Sequence, residues 1–203
     1  MTKSQASRSG LDVDSVVWTA LDLMDEQGAD AVSIRSIATR LDVRMNTVLW
    51  HAKTKARLRE LMADAIIAKA STDDLPDDPH DRVRELAHRY RRALLSHRDG
   101  ASIVAGTYAA EPATLGFADA LVGALLADGH GEKEAVWLCW TVVYFTLGLA
   151  QEEQAFPDPG DHRLASAVTA GAYPALARVL PHFDRAGFDE RFDFGLDLVL
   201  RRG

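Results

Sequence analysis

Cysteine is nearly absent: Cys139 stands alone in 203 residues. That excludes an internal disulfide framework and any cysteine-based zinc finger. No apolar stretch approaches the ~20 residues of a membrane span without a charge, a glycine or a strongly polar break. The N-terminus, Met-Thr-Lys-Ser-Gln-Ala-Ser-Arg-Ser-Gly, lacks the apolar core of a signal peptide and reads as a flexible basic arm over residues 1–10. A His-Glu-x-x-His pair, a Gly-x-Ser-x-Gly elbow and a phosphate-cradling glycine loop are all missing. No segment alternates as a strand between hairpin turns, and no repeat or low-complexity tract is present. What is left is a cytoplasmic, all-α chain. Its 47% apolar content is enough for a packed core.

Net charge is −7, which taken alone argues against a nucleic-acid partner. The distribution reverses that. Residues 1–70 carry 10 basic and 9 acidic side chains, and the remainder carries 13 and 21. Between Ser33 and Arg59 stand Arg35, Arg40, Arg44, Lys53, Lys55, Arg57 and Arg59 against one acid, Asp42. An acidic protein that gathers cations into one short segment holds that segment against a polyanion.

Helical periodicity runs along the chain. Val13, Val16, Val17, Ala20, Leu21 and Met24 form one face, with Asp12 or Asp14 as the cap and Gly28 at the far end. Ser33 caps a second helix with Ile34, Ile37, Ala38 and Leu41 inward. A sharp turn at Asp42 follows, where a left-handed backbone would favour glycine and aspartate tolerates it. A short helix containing Val48 comes next, and Thr54 caps a fourth helix over 55–70. Residues 71–79, with two prolines and four aspartates, mark the boundary between domains at 11–70 and 80–203. Beyond it, helices are predicted at about 80–97, 101–109, 111–128, 132–155, 162–180 and 188–201, with Pro174 splitting the fifth of these near Ala172.

The segment after Ser33 has the parts of a helix-turn-helix. One helix braces, and a second enters a major groove about 12 Å wide. Its second helix carries small polar, aromatic and basic residues where a core-facing helix would not want them. The run Thr47-Val48-Leu49-Trp50-His51-Ala52-Lys53-Thr54-Lys55 resembles the Thr-Leu-Tyr-Trp-His-x-x-x-Lys signature of the TetR family of bacterial repressors. Residues 144–154 (Tyr-Phe-Thr-Leu-Gly-Leu-Ala-Gln-Glu-Glu-Gln) and 192–198 (Phe-Asp-Phe-Gly-Leu-Asp-Leu) are similar to segments of its tetracycline-repressor branch. The resemblance implies a homodimer in which a three-helix DNA-binding domain is joined by the fourth helix to a larger ligand-binding and dimerisation domain. It also implies a repressor that binds a palindromic double-stranded operator and is released by a small-molecule effector. No cofactor is expected.

Carried over by position, Ser33 and Arg35 become phosphate or base contacts. Met45, Asn46 and Thr47 open the recognition helix, where Asn46 can pair bidentately with adenine and Thr47 can meet a thymine methyl or a phosphate. Trp50, His51 and Lys55 match phosphate-contacting positions, which set register rather than preference, and Arg44 and Leu49 complete the DNA-binding set. There are departures. Leu49 stands where the family usually has tyrosine, so a phenolic contact is missing; Met45-Asn46 replaces Gln-Pro; and Asp42 replaces a glycine. Tyr144 stands where the tetracycline repressor has a histidine binding magnesium-tetracycline. A phenol serves a hard cation poorly, so a different, metal-free effector, largely apolar or aromatic, is expected.

In the larger domain, Trp137, Trp140, Thr141, Tyr144 and Gly148 recur on one side of a helix. They read either as ordinary packing or as one wall of a ligand pocket. The family fold adds Tyr90, Tyr108 and Phe117 from neighbouring helices. Phe188, Phe192, Leu196 and Val199 stripe the last helix, as a core contact or, by the resemblance, as the dimer interface. Trp50 as a core aromatic, and the cations around it as a solvated face, remain the plain alternatives. Two other functions are open. One is a helical adaptor that binds protein through the basic segment. The other is a metal-dependent bundle enzyme, for which Glu85-x-x-His88 supplies a single copy of a motif that needs two.

Overall fold

Asp12 starts the first helix, its carboxylate accepting from the Ser15 backbone N–H at 2.8 Å. In the computed structural model, which describes residues 11–108, 110–156, 163–169, 172–182 and 187–201, the arm expected over 1–10 lies outside the described residues. Helix α1 (Val13–Gln27) ends at Gly28, whose φ of 88° only glycine adopts without strain. A single 3₁₀ turn (Ala29–Ala31), which periodicity did not foresee, leads into α2 (Ile34–Arg40). Then come α3 (Met45–Ala52) and α4 (Lys55–Ile67). Thr54 caps α4 by accepting from the Arg57 N–H at 3.0 Å. The fourth helix stops at Ile67, three residues short of its expected end.

After 71–78 the chain resumes with α5 (Pro79–Leu95), α6 (Gly100–Val104), α7 (Pro112–Ala127) and α8 (Glu132–Gln154). The last elements are α9 (Arg163–Thr169), α10 (Pro174–Val179) and α11 (Phe188–Val199). The sixth helix is shorter than the expected 101–109, because Ala105 leaves the helical region and Gly106 takes a φ of 76°. The expected split at Pro174 is present, with the proline in the first turn of α10, where it lacks no hydrogen bond.

Buried apolar side chains form one cluster that runs from α1 through α4 into α5, α7, α8 and α11. Helix α4 contributes Leu58, Met62, Ile66 and Ile67 to it, so the first three helices are seated on the rest through a shared core. Polar ties reinforce the seat. His97 is buried in the turn after α5 and meets Asp25 of α1 at 2.7 Å through Nδ1 and Lys69 at 2.6 Å through Nε2. Because an ammonium can only donate, the ring accepts at Nε2 and gives its Nδ1 proton to Asp25. The Ala29 N–H donates to Asp99 at 2.8 Å.

A second polar seam sets the roll of α11. Arg91 of α5 is buried and donates to Asp189 at 2.6 Å and to Glu153 at 2.7 Å. His88 meets Asp193 at 2.9 Å, and Arg84 pairs with Asp193 and Asp197. Phe192 and Leu196, expected at the dimer interface, are thereby turned into the chain's own core, each 0% exposed. Phe192 stacks on Phe145 of α8 at 5.6 Å and meets the His88 ring edge at 5.0 Å. Phe188 and Val199 are half-buried. The apolar side chains that α11 does expose are Phe194, at 67%, and Leu198, at 48%.

Candidate nucleic-acid interface and effector cavity

The bracing helix α2 is capped reciprocally. Ser33 Oγ accepts from the Ser36 N–H at 3.0 Å, and Ser36 Oγ accepts from the Ser33 N–H at 2.9 Å. The Ser33 hydroxyl is thus engaged within the protein. The turn to α3 has Asp42 at φ 52°, the left-handed geometry read from sequence. The Val43 N–H then bonds back to the Ala38 carbonyl at 3.0 Å. Only Val48 and Ala52 of α3 are buried, so the helix is held along one edge. Met45, Asn46, Thr47, Leu49 and Trp50 all face solvent. Trp50 is 77% exposed and sets its ring at 89° to His51, 4.7 Å away. The core-aromatic reading of Trp50 is therefore overturned. An exposed tryptophan on a helix that keeps only one edge in the core is surface offered to a partner.

The seven cations divide. Arg40 donates to Glu26 at 3.0 Å. Arg57 pairs with Glu60 at 3.0 Å and with Glu111, whose carboxyl it holds below the usual carboxylate range. Arg59 donates to the Ser102 and Ala105 carbonyls. Arg35, Arg44, Lys53 and Lys55 are exposed and make no ion pair among the described residues. Arg44 and Lys53 bound α3, Lys55 follows it, and Arg35 stands in the first turn of α2. Lys53 also ends α3 with a φ of 59°, and Lys55 opens α4. The sequence reading of Arg57 and Arg59 as part of one cationic patch is corrected: both reach away from α3 to the larger body.

That larger body holds a cavity of about 570 Å³ between α4, α5, α7 and α8. Of the eight candidates, Tyr90, Tyr108, Phe117, Trp140, Tyr144 and Gly148 line it. Trp137 and Thr141 do not. The Thr141 hydroxyl donates to the Trp137 carbonyl at 2.7 Å, and the Trp137 ring lies on the outer surface under Lys133. The lining face of α8 continues instead to Leu147 and Gln151, which the helical period of Trp140 and Tyr144 already pointed to. No pattern in the chain singled out Ile67 or the 104–107 stretch, which also line the cavity. Tyr90 stacks on Phe117 at 5.0 Å and Trp140 on Tyr144 at 5.6 Å. Tyr108 stands edge-on to Trp140 at the exposed mouth.

Helix α4 grips this wall. The Asp64 carboxylate accepts from the Thr114 N–H at 2.7 Å, the Thr114 hydroxyl at 2.8 Å and the Ala113 N–H at 3.4 Å. It thereby caps α7, whose own cap residue supplies no side-chain bond. Together with the Arg57 and Arg59 ties, three side chains of α4 hold the 102–114 segment. The Glu85-x-x-His88 motif does not converge on a metal position, since Glu85 pairs with Arg89 and Arg92 while His88 turns to Asp193. Among the described residues no group of three or more His, Cys, Asp and Glu side chains is arranged to hold a metal ion. No helix among them is long and apolar enough to cross a membrane.

A recognition helix presented to solvent, coupled by one helix to an aromatic cavity, defines a transcriptional regulator with an effector site. The chain belongs to the tetracycline-repressor family of such regulators. Residues 73–201 match the family described as "Tetracyclin repressor-like, C-terminal domain". The tetracycline repressor protein class A from transposon 1721 of Escherichia coli is 35% identical over 193 residues, covering 94% of this chain and 89% of that one. A singly substituted TetR of Acinetobacter baumannii AYE in complex with minocycline superposes with a TM-score of 0.72 at 33% identity, over 94% of each chain. BioQ with its natural double-stranded DNA operator gives 0.66 at 28% identity, over 79% of this chain and 96% of that one.

Proposed function

We propose that this chain is a repressor that binds a palindromic operator as a homodimer and leaves it when a small molecule enters the cavity. It acts in the cytoplasm and catalyses no reaction. Residues 11–70 form the DNA-binding domain and 80–203 the effector and dimerisation domain, with Phe194 and Leu198 of α11 on the dimer face in place of Phe192 and Leu196. The observation that carries this reading is α3 itself, anchored by two apolar residues, with Arg44, Lys53 and Lys55 at its ends and without an ion pair among the described residues. A dimer supplies two such helices for half-sites roughly 34–36 Å apart. Asn46 and Thr47 read bases, while Arg35, Arg44, Trp50, His51 and Lys55 set register on phosphates.

The test is fluorescence anisotropy of labelled duplexes over a salt series. Counterion release makes affinity fall steeply as salt rises. Lys55→Ala should weaken binding to operator and to unrelated duplex alike, and should lower the salt slope by roughly one per removed phosphate contact. An unchanged slope would remove Lys55 from the interface. A chain that ignores every duplex at low salt would end the reading.

Release requires the cavity to move α3, and the Asp64 cap on α7 is a polar tie on that route. Asp64→Ala should leave effector-free operator affinity within about twofold and raise the effector concentration for half-release roughly tenfold, the loss of a coupling in the usual range. Titrating effector into the preformed complex measures both. Equal damage to binding and release would reduce Asp64 to a structural cap.

A further inference from the structure

The side chains that line this cavity do not fit a metal chelate. Among the described lining residues there is no carboxylate, imidazole, ammonium or guanidinium. Its polar groups are phenols, two threonine hydroxyls, the Cys139 thiol, the Trp140 indole and the Gln151 amide. A hard divalent cation needs charged oxygen ligands, and none faces the space. Burial pushes the Cys139 thiol up, so it stays protonated and offers no thiolate to a soft metal. A charged ligand would find no counter-charge among these side chains.

The cavity also shows what it lacks. Tyr90 lines the space, and its hydroxyl makes no hydrogen bond within the chain among the described residues, so it can donate into the cavity. Burial holds it up as a neutral donor. The threonines are already committed: Thr107 donates to the Val104 carbonyl at 2.6 Å and Thr114 to Asp64 at 2.8 Å, leaving only acceptor lone pairs. Gln151 makes no side-chain bond among the described residues and has both a donor and an acceptor to give. Two stacked aromatic pairs, Tyr90–Phe117 and Trp140–Tyr144, supply flat walls.

We propose that the cavity binds an uncharged, planar, multi-ring aromatic ketone or quinone without any metal ion, its carbonyl oxygen accepting from the Tyr90 hydroxyl and its rings lying against Phe117, Trp140 and Tyr144. This deepens the effector reading above and rests on it for its regulatory meaning, but the binding chemistry is tested separately. Full-length protein is titrated with acridone and 9,10-anthraquinone (neutral, carbonyl-bearing tricycles), with 9-aminoacridine (the cationic counterpart of acridone) and with tetracycline plus Mg²⁺. Each titration follows tryptophan fluorescence, with and without EDTA. At least one neutral carbonyl tricycle binds with an affinity that EDTA does not change. The cation, which has neither a counter-charge in the cavity nor a carbonyl for Tyr90, binds about five- to tenfold more weakly. Tyr90→Phe, which keeps the ring and is checked by an unchanged melting temperature, loses about five- to tenfold for the neutral probe, the size of one hydrogen bond. Binding of tetracycline that needs Mg²⁺, a cation bound as tightly as acridone, an indifferent Tyr90→Phe, or failure of both neutral probes overturns the assignment and leaves DNA binding untouched. The reverse failure is distinct: a neutral probe that binds while the protein ignores all duplexes sinks the repressor reading and leaves the cavity assignment standing.

Discussion

Asn46→Ala is expected to cost the dimer roughly 2–6 kcal/mol on its operator, because each half-site loses a bidentate base contact worth about 1–3 kcal/mol. That is between about thirtyfold and twenty-thousandfold in affinity. The side chain is exposed on α3 and makes no hydrogen bond within the protein among the described residues, so folding should be nearly indifferent, within about 0.5 kcal/mol. Affinity for unrelated duplex should also persist, since Arg35, Arg44, Lys53 and Lys55 still meet the phosphates. The measurement is anisotropy at one fixed salt concentration, on an operator selected from random duplexes and on a scrambled control. Equal losses on the two would place Asn46 on the backbone. A preserved affinity on both would move base reading to Thr47 and Met45.

The recognition segment was legible because its determinants are local. Caps at Ser33 and Thr54, a tolerated left-handed aspartate at 42, and a helix with too few apolar residues for a core all lie within one short window. Arg57 and Arg59 were misread for the converse reason. They continue the charge run in sequence, but their partners, Glu111 and the Ser102 and Ala105 carbonyls, come from segments that only tertiary packing brings near. The cavity was half legible. The period of α8 found Trp140, Tyr144 and Gly148 but did not say where the lining face ends, so it admitted Trp137 and Thr141 and stopped short of Gln151. The irregular stretch between α6 and α7 has no period to read. In α11 the apolar residues are dense enough to make two stripes, and periodicity cannot choose between them. Tertiary packing makes the choice: Phe192 stacks on Phe145, and Arg84, His88 and Arg91 of α5 pair with Asp189, Asp193 and Asp197 in the same orientation.

Phe192→Ala separates those two stripes by energy. Phe192 is fully buried, stacked on Phe145, edge-on to His88 and beneath the Arg91 guanidinium at 5.3 Å. Truncating it leaves a cavity that the flanking rings cannot fill, and Arg91 loses its aromatic face. Gly195 sits one turn on, where even a Cβ would meet the Phe145 ring at 2.2 Å, so α8 and α11 already touch as closely as they can at that point. Relaxation of the rings into the gap is thus limited, and the cost should fall at about 3–5 kcal/mol. For a chain of this size that is a fall of roughly 6–20 °C in melting temperature. The loss belongs to each protomer, so the shift should be the same at low and high protein concentration. Phe194→Ala on the opposite stripe should do the reverse: little change in protomer packing, and a melting temperature that becomes more sensitive to dilution as the dimer weakens. Melting both variants across a roughly hundredfold dilution range by circular dichroism or scanning fluorimetry decides it. If Phe192→Ala were mild and dilution-sensitive, that ring would face a partner, and the seam between α5 and α11 would not set the roll of the last helix.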